Sequence, residues 1–114
     1  MAYLSEETLA IILELQGKLA KLINQTSAAE LSIFEIYGET PETMTVLEQL
    51  INIKERATSY YSRLSNLLLR VSEIQPTPST AMLTLLTRTI EQAQATVDAG
   101  NATVQEAKKD WNIL

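Results

Sequence analysis

Leu83, Leu86, Ile90, Ala93, Val97, Gly100, Val104, Ala107, Trp111 and Leu114 are separated by gaps that alternate three and four residues. A spacing that averages 3.5 residues is the seam of a helix that faces partner helices along its length. This stretch constrains the fold more than any other, because a seam of that length needs other long helices to cover it. It has a bulky row (Leu83, Ile90, Val97, Val104, Trp111) and a row that turns small after Leu86 (Ala93, Gly100, Ala107). Small residues let a neighbouring helix approach closely. Glycine inside a helix costs about 1 kcal/mol against alanine. Gly100 is therefore read as making room for a large residue opposite, the alternative being a kink across residues 98–101.

The rest of the chain supplies the partners. Ser5 can cap a first helix, Glu6 and Glu7 suit the positive end of its dipole, and Leu4 and Leu9 are spaced as a hydrophobic staple. Its seam runs Ile12, Leu15, Leu19, Leu22, Thr26, Ala29, Ile33 and Ile36, and Gly38 suits the C′ position after Tyr37. Asn24-Gln25-Thr26-Ser27 interrupts the apolar face, and Ser27 to Glu30 matches a capping box that would start a new helix. The phase is the same on both sides, which favours one helix from Ser5 to Tyr37 over two helices broken near 24–27. Thr40-Pro41-Glu42 opens a second helix by cap, N1 proline and dipole. Its rows are Val46, Ile53, Tyr60, Leu67, Ile74 and Leu50, Ala57, Leu64, Val71. Pro76 stops it, and Thr77-Pro78 reads as the same opening for the third helix.

Loops this short force neighbouring helices to run antiparallel. The expected fold is all-α: an elongated up-down-up antiparallel three-helix bundle, about 50 Å long at 1.5 Å per residue. The 114 residues suit one domain, 1–114, able to bury about two-thirds of its unfolded surface.

Composition narrows the function. With no cysteine, neither a disulfide frame nor thiolate chemistry is available. With no histidine, the commonest general base and the commonest bundle metal ligand are missing. The Asp and Glu residues fall outside the three seams, and there is no phosphate-binding loop, dinucleotide fingerprint or nucleophile–base motif. The expectation is no enzyme, no metal and no cofactor. A net charge of −5 opposes general nucleic-acid binding, which needs phosphate neutralisation. The acidic start and the shortness of the apolar runs give no signal peptide and no membrane segment, so a cytoplasmic location is expected.

Two constellations suggest partner binding. Arg56, Arg63 and Arg70 stand one heptad apart beside the second seam, with Lys54 nearby. The stripe is either a docking rail for an acidic partner or a flank that pairs with Glu14, Glu30 and Glu35 or with Glu91 and Asp98. Phe34, Tyr37 and Trp111 belong to one end of the rod and are read as an aromatic plug. At the opposite end apolar residues exceed what a seam needs. There Leu13, Leu69 and Leu85, one on each helix, lie off the seams at similar height. The chain is therefore expected to mediate protein–protein interaction or self-association, most simply as a homodimer. The alternative is a binder of a small apolar or anionic ligand in or beside the bundle.

Overall fold

The computed structural model describes residues 5–114. Within them the chain forms three long helices, α1 (Glu6–Tyr37), α2 (Pro41–Glu73) and α3 (Thr80–Asp110). Each packs against the other two, in an up-down-up rod of 56 × 20 × 17 Å. The three-helix architecture expected from the seams is the architecture observed.

Local chemistry sets the helix ends. Ser5 Oγ accepts the Thr8 N–H at 3.1 Å, capping α1 with Glu6 and Glu7 in the first turn. The staple partner Leu4 lies outside the described residues. α1 passes through 24–27 without a break, because the Thr26 hydroxyl turns inward and donates to the Leu22 carbonyl at 2.7 Å. A buried threonine satisfied by its own helix leaves the apolar face continuous.

At the α1–α2 turn Gly38 takes φ 74°, ψ −173°, a region essentially reserved for glycine. Thr40 and Thr43 then cap each other's backbone N–H groups, and the Thr43 hydroxyl also reaches the Gly38 carbonyl at 2.9 Å. The opening of α3 differs from expectation. Ser79, not Thr77, is the N-cap, accepting the Met82 N–H at 3.1 Å. Pro78 thereby precedes the helix and is buried. Both hydroxyls have capping chemistry, and the later one leaves Pro78 to cover the bundle.

The core follows the three seams: Ile12, Leu15, Leu19, Leu22, Ala29 and Ile33 of α1, Val46, Leu50, Ala57, Leu64, Leu67 and Val71 of α2, and Leu86, Ala93, Val97, Val104 and Ala107 of α3. It ends sooner than the spacing suggests. Ile36, Leu83 and Leu114 continue the phase but are exposed, Ile36 and Leu83 in the end turns of α1 and α3 and Leu114 past the end of α3. α3 is unbroken through Gly100. A Cβ placed on Gly100 would stand 2.7 Å from Leu22 Cδ2 and 3.1 Å from Ile53 Cγ2. Gly100 is thus a point of close approach between α3 and both neighbours, and the helix is not broken there.

Among the described residues the buried polar side chains are Gln16, Thr26, Thr43 and Thr89. Gln16 was not expected inside. Its Nε2 donates to Ser65 Oγ at 2.7 Å and to the Tyr61 carbonyl at 3.4 Å, which fixes the register of α1 on α2.

Candidate functional site

Leu13, Leu69 and Leu85 are 53 %, 60 % and 45 % exposed, as their off-seam positions require. The register set by Gln16 and Ser65 aligns them in height. Leu13 lies about one turn beyond Gln16 and Leu69 about one turn beyond Ser65, and in antiparallel helices both steps lead toward the same end. Leu85 lies near the start of α3, at that end.

Heptad equivalence gives their direction around the rod. Leu13 shares the α2-ward side of α1 with Gln16, one turn away. Leu69 lies three heptads after Glu48, on the outer flank of α2. Leu85 lies three heptads before Glu106, which lines the groove between α2 and α3. All three leucines therefore stand on the side of the bundle centred on α2. Leu9, Ile11 and Leu83 are exposed near the same end.

The arginine stripe continues the heptad position of Glu42 and Gln49, along the α3-ward edge of α2. Arg56, Arg63 and Arg70 are all exposed. Among the described residues none of them forms an ion pair. Four of the five acids offered as partners are engaged or turned elsewhere. Glu14 pairs with Lys18 at 3.6 Å and Glu30 with Lys54 at 2.8 Å. Glu91 and Asp98 face the groove between α3 and α1. On the α2 side of α3 the acids Glu106 and Asp110 lie toward the far end of the helix, whereas Gln92, Thr96 and Ala99, at the same heptad positions nearer the arginines, are not acidic. Arg63 instead lies over the Tyr60 ring, 5.0 Å from its centroid, which keeps the guanidinium exposed while its stem covers a half-buried tyrosine. The expected internal pairing thus holds for Lys54 and not for the arginines.

The aromatic end also needs correction. Tyr37 and Trp111 pack edge to face with centroids 5.1 Å apart, and the Tyr37 hydroxyl donates to the Trp111 carbonyl. Phe34 does not join them. It is exposed and lines a groove between α1 and α2 with Leu31, Met44, Leu47 and Ile51. Sequence reasoning missed this groove. The signal was present as pairs one heptad apart and one step outside the seams, Ser27 with Phe34 and Met44 with Ile51.

Among the described residues no group of three or more acidic side chains is placed to hold a metal ion, and no helix is long and apolar enough to cross a membrane. Compared with protein-family models, curated proteins and solved structures, the chain matches none.

Proposed function

We propose that this chain is a non-enzymatic helical-bundle module that works by protein–protein contact, most simply by pairing with a second copy through its leucine-rich end. The observation that carries the reading is the exposure of Leu13, Leu69 and Leu85 on one side and at one end of the rod. A leucine moved fully from water to an apolar contact contributes about 1.5–3 kcal/mol. Three half-exposed leucines from each of two copies supply several such increments. A contiguous apolar patch on a folded chain usually marks an interface, and a two-fold axis lets one patch meet itself. Arg70, next to Leu69 in sequence, puts a positive charge near the patch in a chain of net charge −5.

The test is light scattering across a concentration series. A chain of 12.7 kDa is expected to approach twice that mass as concentration rises. A mass that stays monomeric at millimolar concentration removes self-association.

A further inference from the structure

We propose that the groove between α1 and α2 at the turn end is a second, separate docking surface, and that its occupant is an amphipathic helix of another protein carrying lysine or arginine beside its apolar face. This rests on reading the chain as an interaction module, but not on self-association. The groove encloses about 370 Å³. Its floor is apolar: Leu31 and Phe34 of α1 are 58 % and 55 % exposed, and Met44 and Ile51 of α2 are 41 % and 39 % exposed, with half-buried Leu47 beneath. Leu47 packs against the core, whereas Leu31, Phe34, Met44 and Ile51 stand outside the core cluster.

The rim selects the partner. Glu30, Glu39 and Glu48 line the groove, and Lys54 is the one cation among its lining residues. Lys54 is held by Glu30 at 2.8 Å, which closes the groove at one end. Glu39 stands in the turn at the other end, and Glu48 stands on the outer flank. Among the described residues neither Glu39 nor Glu48 has an ion-pair partner. An apolar floor with uncompensated carboxylates favours a helix whose leucines enter and whose lysines or arginines reach the rim.

Length agrees with this. Met44 to Lys54 spans about 15 Å of helix, enough for anchors at i, i+3 or i+4, and i+7 of a partner helix. A second copy is a poor occupant, because the leucine-rich start of α1 would bring Glu6, Glu7 and Glu14 toward Glu39 and Glu48.

The probe is a synthetic helix of roughly four turns made of leucine along one face and lysine beside it, with a companion in which glutamate replaces lysine. Binding to the full chain is followed by fluorescence anisotropy, and the site is mapped by backbone amide shifts. The lysine peptide is expected to bind one to one, shifting the amides of residues 27–34 and 44–54, while the glutamate peptide does not bind. The exposed-site pair Phe34→Ser with Ile51→Ser is expected to weaken binding about tenfold or more. Glu39→Lys with Glu48→Lys is expected to weaken it similarly and to flatten its salt dependence. Leu13→Ser with Leu69→Ser and Leu85→Ser leaves it unchanged.

Absence of saturable binding below about 1 mM, equal binding of both peptides, or amide shifts elsewhere would overturn the proposal. So would a loss of self-association in the Phe34→Ser, Ile51→Ser variant, which would make a second copy the occupant. A monomeric wild type that still binds the lysine peptide would remove self-association and leave this surface standing.

Discussion

The waist of the rod and its leucine-rich end are both built from leucine and isoleucine, and they use them in opposite ways. At the waist Leu22, Ile53 and Gly100 meet from three helices, and the missing side chain of Gly100 is filled by its neighbours. Leu22 is fully buried there, and Ile53 packs against the core cluster. At the leucine-rich end the seam is equally well filled, by Ile12, Leu67, Val71 and Leu86. Yet Leu13, Leu69 and Leu85 stand outside it. The difference shows that apolar content alone does not define a core. Leu13, Leu69 and Leu85 lie off the seam and stay exposed, while Leu67 and Leu86 lie on it and are buried.

Substitutions at the waist should therefore damage the fold, and substitutions at the end should not. The largest effect is expected from Leu22→Ala, which removes a fully buried side chain and should cost about 2–5 kcal/mol in chemical denaturation. Gly100→Leu comes next. Overpacking against Leu22 and Ile53 should cost about 1–3 kcal/mol, and a rise in melting temperature would contradict the tight contact. The two sites should also be coupled. Adding Gly100→Ala to Leu22→Ala should cost less than Gly100→Ala does in the wild type, since the new Cβ would enter space vacated by the leucine; additive effects would argue against contact.

Gly17 gives the opposite sign and the smallest effect. It is helical and exposed, and a Cβ there meets nothing within 4 Å. Gly17→Ala should stabilise by about 0.5–1 kcal/mol, read as a small upward shift in melting temperature.

Much of the fold was legible because helix seams and caps are local signals. The three-and-four spacing located the core, and Ser5 and Thr40-Pro41 located two helix starts. The failures lie where a second, equally good local signal or a neighbouring helix decides. Thr77 and Ser79 both have capping hydroxyls, and it is Ser79 that accepts the Met82 N–H. Ile36, Leu83 and Leu114 keep the phase, but they stand in the end turns of α1 and α3 or past the end of α3 and are exposed. Gln16 is buried because Ser65 and the Tyr61 carbonyl stand opposite, a pairing between residues far apart in sequence. The off-seam leucines were legible one by one. Their shared side of the bundle was not, because it depends on how each helix is rotated about its axis. The groove at Phe34 was overlooked because its lining comes equally from two helices and neither contribution stands out alone.

The measurement that bears most directly on the central claim is the mass of Leu13→Ser with Leu69→Ser and Leu85→Ser, compared with wild type at matched concentration by light scattering. Because all three side chains lie outside the core, the variant should keep its helical circular dichroism and its melting behaviour as a monomer. Self-association through the leucine-rich end predicts a dimeric wild type and a monomeric, folded triple variant. A folded triple variant with the wild-type dimeric mass would contradict it, and an unfolded one would show that these leucines hold the bundle together instead.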